Sequence, residues 1–369
     1  MNRKPGAKIA GGAVLLCAAW LTALSAPPAQ AQQDPELQRL VEKITRGDNA
    51  EAREAAERLI ERIIGPVAEA LGSVESRPAE EQMRVRDVLA RLSAALRVRL
   101  FRADLGPPER KLYDDFATQY PELVEQLFHD DYRKRLGAVR RIPLEPGTGA
   151  GVLVVGKVND SDGDVASAAL EAAAALHDDV VIRGLTRYVR DVTAAVKSGY
   201  FGPGEEEAAI VIGMFVDRSI RILGEARARE SVPVILEALS HFGQTHSNDF
   251  FDVAQVAIAL AKIGDERAAP ALLEFIDRKR PYRFHFAGPD SKAVQTIGDA
   301  VLLSLLRIYE IQPETLGFLV AKPPSSFAGF VDDKYREVAR HTFRKWYQQN
   351  ADKPRSERRP PTTQPAGTK

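Results

Sequence analysis

Ile263–Ile276 reads IGDERAAPALLEFI, and upstream Leu223–Leu239 reads LGEARARESVPVILEAL. Both pass from an apolar helix end through a Gly and a charged turn to a Pro and a second apolar run. The preceding residues match in type, VDRSIRIL (216–223) against VAIALAKI (256–263). Setting Gly224 on Gly264 gives an offset of 40, and setting Pro233 on Pro270 gives 37. The turn is therefore expected to vary by three residues. Helix–turn–helix repeats recur with periods of about 33 to 47 residues, so the echo predicts stacked helix pairs.

Other units follow the same grammar. Asp48–Ser73 reads as a helix, a turn and a Pro-started helix; Glu122–Ile142 turns at His129-Asp130-Asp131; Asn159–Val189 has an Asp-rich turn between helices; Asp332–Asn350 reads as a last helix without its partner. An Asp or Asn before each first helix can accept the unpaired backbone N–H groups of the opening turn. Asp164 is the expected cap in the third of these units. Pro66, Pro233 and Pro270 stand near second-helix starts, where a missing N–H costs nothing. In DDVVIRGLTRYVRD, Ile182, Leu185 and Val189 fall on one helical face. No strand alternation is expected; GVLVVGKV (151–158) is the one β-like run.

These units resemble HEAT repeats of the armadillo-like class, including the shorter HEAT-like repeats named after phycobilisome lyases. The resemblance rests on Asp-started, Ala-rich first helices and on second helices opening PVILEAL and PALLEFI, and covers about Asp48 to Tyr347. The stretches TIGDAVLLSLLRIYEIQPETLGF and VDDKYREVARHTFRKWY are similar to the end of exported bacterial HEAT-domain proteins. The resemblance implies an all-α, right-handed α-solenoid (a HEAT-like superhelix) of stacked antiparallel helix pairs, with second helices on the concave face. At about 40 residues per unit the chain holds roughly seven or eight pairs. Arg102–Tyr120 and Lys197–Glu207 fit no repeat cleanly.

The ends stand apart from this pattern. Arg3, Lys4 and Lys8 precede an apolar run, Ile9–Leu24, and Ala29-Gln30-Ala31 has the small-x-small form of a signal-peptidase site. Residues 1–31 are read as a signal peptide, 32–349 as the solenoid and 350–369 as a disordered Pro/Arg-rich tail. Export is expected, to the periplasm or beyond, with membrane attachment only through an uncleaved signal anchor. Cys17 is the single Cys, so the mature chain has no disulfide, thiolate metal site or covalent haem. The 51 basic and 51 acidic residues balance; without Arg3, Lys4 and Lys8 the balance is 48 against 51. That balance points away from nucleic acid.

Chemical motifs are weak. GVLVVGKV fits G-x-x-x-x-G-K, but Val158 stands where a hydroxyl would hold Mg²⁺, and its apolar residues call for a buried helix. Asp160, Asp162, Asp164 and Glu171 occupy calcium-loop positions 1, 3, 5 and 12, but position 6 is Val165 where Gly is needed; an inter-helix turn explains the same residues. His129 and His177 read as turn residues. His241 and His246, near Asp249 and Asp252, have no metal-binding spacing. No catalytic set and no cofactor is expected.

Two surfaces suit binding. Arg183, Arg187 and Arg190, with Tyr188 beside them, share a second-helix face. The long segment 277–292 mixes Arg280, Arg283 and His285 with Tyr282, Phe284 and Phe286, and Arg and aromatic residues anchor interfaces. The expected function is an exported, non-enzymatic scaffold binding a protein or peptide through its concave face. The alternatives are an enzyme or enzyme accessory, or a structural envelope component.

Overall fold

The computed structural model describes residues 58, 62, 79–197, 206–243, 251–288, 291–320, 328–359 and 361. The signal segment and the Asp48–Ser73 unit lie outside them, apart from helical positions at 58 and 62. The chain divides into two compact units, Met1–Leu100 and Phe101–Lys369. In the first, helix α1 (Ala79–Asp104) buries Ala94 and Leu96 before running on past the division.

The second unit is a ladder of helices: α2 (Pro107–Gln119), α3 (Pro121–Leu127), α4 (Tyr132–Val139), α5 (Gly149–Val158), α6 (Gly163–Leu176), α7 (Asp179–Lys197), α8 (Glu206–Glu225), α9 (Val232–Phe242), α10 (Val253–Ile263) and α11 (Ala269–Leu273). Beyond it come α12 (Ile297–Ile308) and α13 (Asp333–Asn350). One layer runs α4, α6, α8, α10, α12, each helix packed on the next; the other runs α2, α5, α7, α9, α11. Arg102–Tyr120, which fits no repeat in the sequence, thus supplies a second-layer helix. Described residues hold four complete pairs, α4–α5 to α10–α11, in an all-α solenoid arrangement.

The caps explain where first-layer helices begin. Asp131, Asp162 and Asp252 accept backbone N–H bonds at the starts of α4, α6 and α10, and Asp332 does so for α13. The α6 cap is Asp162, not Asp164: its carboxylate accepts from Asp164 N and Val165 N, both at 3.1 Å. Second helices α9 and α11 carry Pro233 and Pro270 in their first turns.

The ends of first-layer helices correct the repeat alignment. Four of the five, α6, α8, α10 and α12, are followed by a left-handed residue: His177 (φ 47), Arg227 (φ 53), Gly264 (φ 71) and Glu310 (φ 57). Arg227, not Gly224, is the counterpart of Gly264, and 264 minus 227 is 37, the offset of the prolines. The turn does not vary. Gly224 lies inside α8, where a Cβ would fall 2.6 Å from Ala259 Cβ of α10. It is glycine so that two first-layer helices can touch. On α10, Val253, Ala254, Val256, Ala257, Ala259, Leu260 and Ile263 are all buried. Burial of each larger side chain contributes about 1.5–3 kcal/mol.

The expectation of no strands fails after α11. β1 (Pro281–Gly288) and β2 (Ser291–Thr296) form an antiparallel hairpin with bulges near both ends. The alternation Tyr282, Phe284, Phe286 has the strand period of two. Val294 bridges to Phe330, beside the small pair β3 (Leu319–Val320) and β4 (Ala328–Gly329). At the start of α12, Thr296 and Asp299 form a reciprocal capping box. Asp299, fully buried, also accepts from Arg336 Nε at 2.9 Å and Arg340 at 3.2 Å, and so fixes α13.

The tail also departs from expectation. Arg358 grips Glu266 through both carboxylate oxygens, at 2.9 and 2.8 Å. Arg355 bonds Glu266 at 2.9 Å and Glu310 at 2.6 Å, and Trp346 Nε1 donates to the Arg359 carbonyl. Residues 351–359 therefore fold onto the α10–α11 turn. Hydrogen bonds from Arg358, and from Arg355, hold the Glu266 carboxyl below its usual range.

Candidate functional site

Three successive first-layer helices build a groove of about 350 Å³. From α6 and its end come Ala174 and His177; from α8, Arg218, Arg221, Ile222 and Glu225; from α10, Gln255, Ile258, Ala259 and Lys262. With the corrected offset of 37, Arg218 is the counterpart of Gln255, Arg221 of Ile258, Ile222 of Ala259 and Glu225 of Lys262. The repeat thus brings the same four positions of two helices to one surface, because residues 3, 4 and 7 apart share a helical face.

The lining is polar around a small apolar floor. Arg218 donates to Ser167 Oγ at 2.8 Å and to Glu171 at 3.2 Å. Lys262 pairs with Glu225. Arg221 Nε lies 3.1 Å from Asp217 Oδ2. Asp217 sits beneath the lining, its side chain 9% exposed and its Oδ1 without a hydrogen-bond partner. Burial pushes its carboxyl up to about 7; Arg221 opposes this and the nearby Asp252 charge reinforces it.

The hairpin reaches this groove. Gln255 Nε2 donates to Tyr282 Oη, and the Arg283 guanidinium stands 5.0 Å from the Tyr282 ring centre. Burial, with Asp252 second, raises the Tyr282 hydroxyl. Arg280 is exposed before β1, and its carbonyl accepts from Ile297 N at 2.9 Å. Phe284, His285 and Phe286 are placed by strand register, opposite Val294, Ala293 and Lys292.

The structure divides the two expected surfaces between layers. Arg183, Arg187 and Arg190 are exposed on second-layer α7, opposite buried Val181, Leu185 and Val189. Arg183 bonds Glu109 of α2 at 3.5 Å, and burial raises the Tyr188 hydroxyl. Tyr282 instead joins Gln255 of first-layer α10. Sequence reading missed Arg218, Arg221, Asp217 and Lys262, because setting Gly224 on Gly264 hides the positional match.

The remaining motifs have structural partners. GVLVVGKV lies in buried helix α5; Lys157 Nζ sits 4.2 Å from the Phe128 ring centre and 3.4 Å from Asp160, so no phosphate loop forms. The calcium-loop acids are also dispersed. Asp160 accepts from Arg135 at 2.8 Å, Asp162 caps α6, Asp164 lies within its first turn and Glu171 turns out to Arg218. Burial opposes ionisation of Asp160, but the Arg135 hydrogen bonds and Lys157 hold its carboxyl low. Among the described residues no three His, Cys, Asp or Glu side chains gather to hold a metal ion. His129 Nδ1 accepts from Asp131 N at 2.9 Å, as a turn residue. His246 and Asp249 lie outside the described residues.

The PBS lyase HEAT-like repeat model matches residues 253–278, the segment of α10, the Gly264 turn and α11. The chain carries a HEAT-like repeat. No curated protein and no solved structure matches the chain. The HEAT-like assignment agrees with the two-layer helix stacking and fixes architecture; chemistry has to be argued from the groove.

Proposed function

We propose that this HEAT-like protein is an exported, non-enzymatic scaffold that docks a partner protein across helices α6, α8 and α10. The supporting observation is the groove: equivalent positions of successive repeats combine Arg218, Arg221 and Lys262 with an Ile222–Ile258–Ala259 floor. Repeat proteins bind along such surfaces because each unit adds one increment of the same face. The leader-like residues 1–31 motivate export. Tyr282 and Arg283, at the hairpin base, extend the surface.

The test is photocross-linking in the native host, with a benzoylphenylalanine placed at 258 or, for comparison, at 187. One discrete protein adduct from 258, lost with Arg221→Glu, is the expected outcome. Equal adducts from both positions, or none from 258, would sink this reading. An enzyme or accessory role has one observation in its favour, the Asp217 carboxyl raised to about 7 near Asp252 and Tyr282. Raised carboxyls are typical of acid–base sites. It ranks second because Asp217 is enclosed and does not line the groove.

A further inference from the structure

We infer that the groove takes an acidic peptide segment, with a carboxylate on the Arg218–Arg221 pair and an aliphatic side chain on the Ile222–Ile258–Ala259 floor. The inference rests on the docking reading above and names the chemistry of the partner. Among the described residues, three side-chain cations line the groove, Arg218, Arg221 and Lys262, with His177 at its edge, against one lining carboxylate, Glu225; Glu171 meets Arg218 from outside the lining and Asp217 meets Arg221 from beneath it. A ligand that complements this lining carries negative charge.

The cations can exchange partners readily. Arg218 pairs with Glu171, whose side chain is 67% exposed, and Lys262 with Glu225, 55% exposed. Such exposed pairs hold weakly, so a better-aligned carboxylate displaces them at little cost. Guanidinium groups match carboxylates in a planar, two-point geometry that ammonium groups lack. Arg221 is 47% exposed although its partner Asp217 is buried, so it too presents donors outward.

Spacing favours a peptide over a small anion. Arg218 and Ile222 are one helical turn apart, about 6 Å along α8. In an extended peptide, side chains two residues apart point the same way about 6.6 Å apart. An acid and an aliphatic residue separated by one position thus reach the guanidinium pair and the floor together. Nucleic acid fits less well: Glu225 lies in the groove, no Phe, Tyr or Trp among the described residues lines it for base stacking, and the whole chain has no basic surplus.

The experiment is an array of octapeptides carrying Asp or Glu two residues from Ile, Leu or Val, each beside its Asn or Gln counterpart, probed with the full chain. Hits are then measured by fluorescence anisotropy. At least a tenfold preference for acid over amide is expected, with at least a tenfold loss in Arg221→Glu and, independently, in Ile258→Ser. Arg187→Glu should stay within twofold. Equal capture of acid and amide peptides, an array without hits, or equal loss in Arg187→Glu would overturn the inference. Capture of non-acidic peptides that Arg221→Glu abolishes would remove the acidic class and leave the docking reading standing. The cross-linking result decides that reading separately.

Discussion

The helix ladder, α4 to α11, and the C-terminal cap, from the hairpin to α13, are held together by different chemistry. In the ladder, neighbours touch through Ala, Gly and aliphatic side chains, as where Gly224 meets Ala259. In the cap, one fully buried carboxylate, Asp299, joins Thr296, Arg336 and Arg340. Apolar contacts are non-directional, and their stabilisation is spread over many residues. A buried charge network has a unique geometry and fails sharply when one member is lost. The repeats can therefore vary around a common core, while the cap depends on one residue.

Asp299→Ala is the most direct way to break this contrast. It leaves Arg336 and Arg340 buried without their shared carboxylate. Loss of about 3–5 kcal/mol is expected, read as an early urea transition in which Trp346 fluorescence changes before the far-UV circular dichroism of the ladder. A single coincident transition would show that cap and ladder do not differ in this way.

The ladder has buried acids too, Asp160 paired with Arg135 and Lys157, and Asp217, whose titration sharpens the comparison. Its folded-state pKa, about 7, lies above the usual carboxylate value of 3.8, chiefly through burial. Between pH 4 and 7 the folded chain keeps a proton that the unfolded chain has released. Stability from this group thus falls as pH rises, by about 1 kcal/mol per unit, and levels off above 7. Urea midpoints for Asp217→Asn should lack that slope and exceed the wild-type midpoint at pH 8. Parallel profiles for the two proteins would refute the assignment.

The smallest effect compares two turns within the ladder. Arg227 and Gly264 hold the same left-handed position, but only glycine does so without strain. Arg227→Gly should stabilise by about 1 kcal/mol and Gly264→Ala should destabilise by a similar amount, both measurable by urea denaturation. Shifts of the same sign would break their equivalence.

These turns also show how much was legible in the sequence. The paired helices and the prolines at 233 and 270 were visible because periodic apolar residues and helix-start chemistry are local signals. The repeat length was misread because Gly224 and Gly264 look alike but do different work, one allowing helix contact and the other reversing the chain. That misalignment also concealed the groove, since Arg218 matches Gln255 and Glu225 matches Lys262 only at the offset of 37. The hairpin was overlooked because Tyr282, Phe284 and Phe286 were read for their interface chemistry rather than their period of two. The arginine half of the Asp299 network was not legible, because Arg336 and Arg340 stand 37 and 41 residues from Asp299 and nothing local in the sequence announces their meeting.

The clasp on Glu266 changes how such a stack can come apart. Arg355 and Arg358 reach back 89 and 92 residues to the α10–α11 turn. Simple repeat arrays contain only contacts between neighbours, so they can fray from either end one unit at a time. Here residues 351–359 close a loop over the final repeats. Fraying from that end has to release the clasp before α12 and α13 can peel away, which couples the terminal units into one cooperative block.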